Sequence, residues 1–472
     1  MKKKDEYLFY CYNCPTSGYY TINGYKYYYG EDFRTAKRYQ EYVDCGFNMV
    51  QARGENSYSG QEWEGSNCQR VFTEALKGGC TRVLVTDGRF DHWIRDLRDL
   101  VGEGKKFANE AELDRAVAEC VAPYCKREGF YGIQLFDEPL YDQFPAYGQL
   151  MRSLQRVLPG VYVQSNLLPM TAPEKLLKPQ DGWREDVATE KFATEQLSQL
   201  DIYKRYVEDF QKITQADNIL FDEYPFRREY IISGNTLPNY QLVARICKER
   251  NVEFRVVLQS FAHIWNGNYH NRRMVESDMY WQTNFAMGFG VREYSFYTYM
   301  AKPDFQYKDS AMGEMDGAAF INLDGSRTAL YDYTKRILAE MKKFTAVLRN
   351  YDYESSHVVT ESEKSYLDFD WTKFIYENEP SPVPVTVDKG VALITKQKDN
   401  ENGNELYMFE NIGNVRDELF DNAPPMQLTM CLPAGEKKFY FRGEQITATP
   451  DAKGAYTFAL KVGDAVFVEI IK

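Results

Sequence analysis

Eight short apolar runs of strand character, each followed by residues at helical spacing, dominate the first three quarters of this chain and leave few folds open to it. The runs are Glu6–Asn13, Phe47–Arg53, Thr81–Asp87, the stretch Phe130–Leu140, Val161–Leu167, Asn218–Glu223, Glu253–Ser260 and Val291–Tyr299. Between them, Asp32–Asp44, Cys68–Lys77, Trp93–Leu100, Glu110–Arg127, Tyr147–Val157, Leu197–Ile213, Tyr240–Arg250 and Met274–Met287 carry apolar residues at i, i+3 and i+4. Leu330–Leu348 closes the series with Leu330, Tyr333, Ile337, Leu338, Met341, Phe344 and Leu348 on one stripe. Eight strand–helix pairs in about 350 residues make a (β/α)8 TIM barrel the economical expectation. A doubly wound sheet is the rival, but no Gly-rich turn follows the first strand.

Beyond Asn350 the texture changes. Short Val/Ile/Tyr/Phe runs at Gly390–Lys396, Glu405–Glu410, Met426–Cys431, Lys438–Phe441, Tyr456–Leu460 and Val466–Ile471 alternate with Gly, Pro and Asn turns, as in a small all-β sandwich. The expected division is therefore a barrel over 1–349 carrying the chemistry and an accessory sandwich over 350–472.

Composition excludes several classes. A formal net charge of −12, with no lysine- or arginine-rich run, argues against a nucleic-acid binder. No run of 18 apolar residues is present to span a membrane. Met1-Lys2-Lys3-Lys4 is basic, but no apolar stretch follows it, so no signal peptide is visible and a cytoplasmic location is expected. The 9 cysteines are odd in number and scattered, which fits a reducing compartment. Cys11-x-x-Cys14 has the spacing of half a zinc site or a redox pair. With no second such motif and only 4 His, no metal and no cofactor is expected. Aromatics make up 15% of the chain, a surplus that suits flat surfaces stacking on sugar rings as well as core packing. Nothing here fixes the oligomeric state, and a homo-oligomer is compatible with it.

The chemistry gathers at strand ends. The fourth strand runs into Phe136-Asp137-Glu138-Pro139, and the sixth ends in Phe221-Asp222-Glu223. Strict two-residue alternation sets Ile133, Leu135 and Asp137 on one face and Gln134, Phe136 and Glu138 on the other. Facing the aliphatic side to the helices points Gln134 and Glu138 into the barrel, with Glu138 at the rim where such barrels keep their active sites. The plainer reading is that both acids only open the next helix. Two acidic ends on strands two apart would flank a small ligand at roughly 5–10 Å, the separation that glycosidic cleavage uses. One carboxyl must be protonated to deliver a proton and the other ionised to attack or to activate water. Phe136, Phe221, Tyr224 and Phe226 would supply the apolar surround that raises the pKa of a buried acid. Arg53, Asp87, Asn166, Gln259 and Tyr297 stand at or near other strand ends, and Trp265 lies in the polar loop after the seventh; all are candidate sugar contacts.

Gly132-Ile-Gln-Leu-Phe-Asp-Glu-Pro139, Ser165-Asn-Leu-Leu-Pro169, Phe221-Asp-Glu-Tyr-Pro-Phe226, Leu258-Gln-Ser260 and Phe320–Tyr331 follow one another in this order. Together they resemble bacterial glycoside hydrolases of the clan-A type, and within them the family-42-like, β-galactosidase-like proteins. The resemblance implies a barrel with a C-terminal sandwich, a carbohydrate substrate, and Glu138 as acid/base. Two departures stand out. Asp137 occupies the place usually held by Asn, and Gln259 stands where the clan keeps its nucleophilic Glu on strand seven. Glu223, or second Asp222, then takes the nucleophile's part. Alternatively Asp137 and Glu138 act as in substrate-assisted hexosaminidases, the Asp orienting an acetamido group. A carbohydrate-binding barrel without catalysis is the remaining reading that the Gln motivates.

Overall fold

The computed structural model describes residues 7–22, 25–28, 31–96, 98–178, 198–227, 232–265, 268–301, 305–307, 310–312, 318–360, 376, 379–413 and 424–472. The chain divides into two compact units. The first comprises Leu8–Asp222 and Asn251–Val257; the second comprises Met1–Tyr7, Glu223–Arg250 and Leu258–Lys472.

In the first unit the strands are β1 (Leu8–Cys11), β2 (Val50–Ala52), β3 (Val83–Thr86), β4 (Phe130–Gln134), β5 (Tyr162–Gln164, resuming after Ser165 as Asn166–Leu167) and β6 (Asn218–Asp222), joined by the start of β7 (Glu253–Gln259), together with a hairpin of Tyr19–Ile22 and Tyr25–Tyr28. Ladders β2–β3–β4–β5 run parallel, with Ala52 opposite Val85, Val85 opposite Ile133 and Ile133 opposite Val163. Asn166 pairs with Leu220, and β6 pairs with β7 from Asn218–Glu253 to Asp222–Val257, again parallel. Gly132 is what lets β4 lie this close to β5, since a Cβ there would stand 2.2 Å from the Tyr162 carbonyl oxygen. Leu8, Tyr10, Met49, Leu84 and Tyr162 fill the core between the strands.

The longer helices are α1 (Ala36–Asp44), α2 (Asn67–Lys77), α3 (Gly88–Asp96), α4 (Glu110–Val121), α5 (Phe144–Val157) and α6 (Gln199–Thr214). Their starts follow from the sequence: the Ser66 and Asn109 side chains accept from the Gln69 and Glu112 amides, and Ser198 with Asp201 forms a reciprocal cap on α6. Gln215 ends α6 in the left-handed region. The buried face of α6 centres on Ile202, Tyr203, Tyr206, Val207 and Phe210.

The second unit contains β8 (Glu293–Tyr297), α7 (Thr236–Arg250), α8 (Glu276–Gly288), α9 (Ala329–Leu348) and the C-terminal antiparallel sheets. Asp352–Thr360, Val391–Lys398, Glu405–Asn411, Ala465–Ile471, Glu436–Phe441 and Glu444–Ile446 form a six-stranded sheet; Val385–Val387, Met426–Met430 and Tyr456–Leu460 form a three-stranded one. Ile394, Phe409, Val466 and Val468 from the first meet Met426, Leu428, Met430 and Leu460 from the second in one core. The first sheet's other face takes α8: Met408 lies against Gly288, and Gln397 donates to the Met287 carbonyl at 2.7 Å.

The expectation of a closed barrel needs correction. What is present is an α/β fold with parallel strands, followed by antiparallel sheets, but the ladders do not run on as one ring. Among the described residues no ladder joins β1 to β2. There the Asn48 side chain accepts from the Phe9 amide at 2.9 Å, and the Asn48 amide donates to the Phe9 carbonyl at 2.8 Å. Ser165 likewise divides β5 between two ladders. Among the described residues no helix is long and apolar enough to cross a membrane, and no cluster of His, Cys, Asp and Glu could hold a metal.

Candidate active site

The β4 ladder stops at Gln134, and Leu135–Glu138 continue without regular structure. Two-residue alternation therefore fails where it was needed. Gln134 Nε2 donates to the Tyr12 hydroxyl at 3.4 Å, and that same hydroxyl donates to Asp137. Asp137 thus joins Gln134's side rather than the aliphatic side with Ile133 and Leu135, correcting the assignment of faces. Glu138 has φ of 51°, a left-handed conformation that side-chain-bearing residues seldom adopt and that collects at functional sites. Its amide donates to the Asn166 carbonyl at 2.8 Å, which holds the turn against β5.

Both Asp137 oxygens are engaged. Arg53, at the end of β2, donates to Oδ2 at 2.6 Å, and Tyr12 and Asn166 (3.2 Å) donate to Oδ1. The Arg53 guanidinium also lies 4.3 Å from the Tyr12 ring centre. Such charge-assisted contacts are short and strong, and they fix the carboxylate in position. Glu138 is held differently. Burial first, then the neighbouring Asp137 charge, push its carboxyl up to about 7, with Arg53 pulling the other way. A raised acid therefore sits next in the sequence to a carboxylate tied down by three donors.

A third carboxylate belongs to the group. Asn166 Nδ2 donates to Asp222 Oδ1 at 3.0 Å as well as to Asp137, so one amide bridges the ends of β4 and β6. The buried Tyr206 hydroxyl, which donates to the Pro139 carbonyl at 2.6 Å, feels the charges of Glu138, Asp222 and Asp137 together. A fourth, Asp91 on α3, is pushed up to about 6 by burial, against the pull of Arg53 and Arg95. Its Oδ1 has no hydrogen-bond partner among the described residues.

Of the residues singled out from the sequence, Arg53, Asp137, Glu138, Asn166 and Asp222 come together in the first unit. Asp87 is fully buried elsewhere in it, clasped by Arg89 at 2.6 and 3.0 Å and by the Tyr124 hydroxyl at 2.9 Å. Glu223 belongs to the second unit. Buried, it accepts from Thr236 (3.1 Å) and Asn239 (3.0 Å), and burial raises its pKa. Gln259 is tied to backbone at both ends of its amide, accepting from the Phe226 amide at 3.0 Å and donating to the Phe226 and Phe261 carbonyls. Tyr297 packs on Tyr224 and Phe261, at 6.0 and 5.3 Å between ring centres. The side chain of Trp265 lies outside the described residues. Cys11 and Cys14 are buried, and burial raises both thiols, Cys14 to about 12.

Tyr12 and Asp91 did not emerge from the sequence. Tyr12 was findable, because Leu8, Tyr10 and Tyr12 alternate onto one face and the last of them must reach the strand end. Asp91 lay in what read as loop, since α3 begins at Gly88 rather than at Trp93.

Acids and amides converging at the C-terminal ends of parallel strands place this unit in the α/β class. The sequence matches no protein-family model and no curated protein. Among solved structures the chain is similar to an α-amylase from Anoxybacillus, with a TM-score of 0.52 and 11% identity over 100% of this chain and 99% of that one. It is also similar to α-L-fucosidase isoenzyme 2 from Paenibacillus thiaminolyticus (TM-score 0.49, 10% identity, 99% and 100% covered). A family 39 glycoside hydrolase from Bacteroides cellulosilyticus WH2 follows (TM-score 0.47, 11% identity, 93% and 78% covered). At 11% identity the likeness to the amylase is one of fold.

Proposed function

We propose that this protein is a glycosidase that cleaves a small oligosaccharide or glycoside, with Glu138 as general acid/base. The observation that carries this reading is the raised Glu138 carboxyl beside the hydrogen-bonded Asp137 at the end of β4. Glu138, half-buried and raised to about 7, keeps a proton to give to a leaving oxygen, while Asp137 is held in place beside it by donors from Arg53, Tyr12 and Asn166. The strand–helix region over 1–349 would carry the chemistry, and the sheets of 350–472 would take no direct part in it. The family-42-like resemblance belongs to this same reading.

The second carboxylate is the nucleophile or base. Asp222 is supported over Glu223, because the Asn166 amide that donates to Asp222 also donates to Asp137, the neighbour of Glu138. Glu223 is buried with both oxygens occupied and its pKa raised, a poor state for attack. Arg53 and Asn166 remain proposed sugar contacts.

A second reading is favoured by one feature: Asp137 is adjacent in sequence to the raised Glu138, the Asp-Glu arrangement of substrate-assisted hexosaminidases. A panel of aryl glycosides with and without a 2-acetamido group separates the two. Glu138→Gln should lower turnover by about 10²–10⁴-fold while leaving sugar binding intact. Unchanged turnover removes Glu138 from the chemistry. Binding without hydrolysis of any glycoside identifies a carbohydrate-binding protein instead.

A further inference from the structure

Below the rim acids, adjacent strands carry a layer of polar side chains in register. Thr86 of β3 lies opposite Gln134 of β4, Gln134 lies opposite Gln164 of β5, and Gln51 of β2 lies opposite Leu84 one step lower. All are buried: Gln51 and Gln164 are 0% exposed, Gln134 1% and Thr86 6%. Five of their polar atoms have no hydrogen-bond partner among the described residues: Gln51 Nε2 and Oε1, Thr86 Oγ1, Gln134 Oε1 and Gln164 Nε2. Native folds rarely leave even one such group orphaned, and a cluster of them needs an occupant.

We infer that this layer is a binding site for internal water beneath the acid cluster. The donor set decides the ligand class. Two amide nitrogens offer only N–H, two amide oxygens only accept, and the Thr86 hydroxyl does either. A cation would use only the oxygens and an anion only the N–H groups; water uses all five. A buried water makes about three hydrogen bonds, so five orphan atoms with their neighbours hold about two waters.

The layer is also the missing stretch of a polar column. Below it, Arg255, paired with Glu253 at 2.7 Å, lies 4.6 Å from the Tyr162 ring centre, and the Tyr162 hydroxyl donates to Gln164 Oε1 at 2.8 Å. Above it, Gln134 Nε2 reaches Tyr12, which donates to Asp137. Water between Gln164 and Gln134 makes the column continuous from the buried ion pair to the rim.

Two measurements test this. A high-resolution crystal structure of the full chain should show solvent density at about 2.7–3.2 Å from both Gln164 Nε2 and Gln134 Oε1. Amides paired directly with each other, with no density between them, would overturn the inference. In solution, oxygen-17 relaxation dispersion should count about two long-lived waters that are lost on combining Thr86→Val with Gln164→Leu. An unchanged count in a folded variant also overturns it. Should the variant not fold, the crystal structure of the unaltered chain decides.

Discussion

Glu138 makes a specific demand on pH. It can deliver a proton only while protonated, so kcat/KM should fall as pH rises through about 7. Arg53 is the group holding that value down, since burial and the Asp137 charge both raise it. Arg53→Met should therefore move the alkaline limb to higher pH, in addition to lowering kcat/KM through the loosened Asp137. A pH–rate profile of both forms on an aryl glycoside checks this. A limb that stays in place means another group sets it. The alkaline limb should also be absent in Glu138→Gln, whatever activity remains.

At the level of elements, the strands were legible because their apolar runs have the length and spacing of buried strands; all eight expected runs contain one. The three strands missed in the C-terminal region, Asp352–Thr360, Val385–Val387 and Glu444–Ile446, are polar, half-exposed or only three residues long, so they carry little of that signal. The site was legible only in part. Phe221-Asp222-Glu223 looks like a pair, yet alternation turns Asp222 to Asn166 and Glu223 to the start of α7. Asp137 could not be oriented by counting, because counting holds only while the ladder lasts. Glu410 is a different case: it is 0% exposed on Glu405–Asn411, with neither oxygen partnered among the described residues. Burial raises its pKa well above the usual carboxylate value. A raised folded-state pKa means the folded chain keeps its proton where the unfolded chain has lost it. Stability from this group is therefore full below the unfolded pKa of about 4.3 and declines as pH rises above it. Glu410→Leu should then stabilise the protein by about 1–3 kcal/mol at pH 8 and by less at pH 4, read from urea unfolding at both. A gain that does not depend on pH would mean that ionisation of Glu410 is not its source.

The largest-scale question is whether the C-terminal sheets are an appendage or part of the second unit's core, and the packing answers for the core. α8 and α9 present their apolar faces to the six-stranded sheet. Phe344 packs on Tyr440 and Phe467 at 4.9 and 4.8 Å between ring centres, and Asn284 donates to the Gly463 carbonyl at 2.8 Å. The approach is close enough to exclude a single methyl group: a Cβ on Gly463, itself at φ +81°, would stand 2.4 Å from the Ser277 carbonyl oxygen. Gly463→Ala combines that clash with a left-handed backbone, so it should cost about 1–3 kcal/mol in denaturant unfolding. A change under about 0.5 kcal/mol would show the contact to be loose. The same packing argues against cutting at the change of sequence texture. A chain ending at residue 349 exposes Phe344, Met341 and Trp281, which are all buried in the intact protein. It should bind a hydrophobic dye and unfold without a sharp transition. If it instead unfolds cooperatively at the full-length temperature, the sandwich is an accessory in the strict sense, and the barrel's helices are stable without its cover.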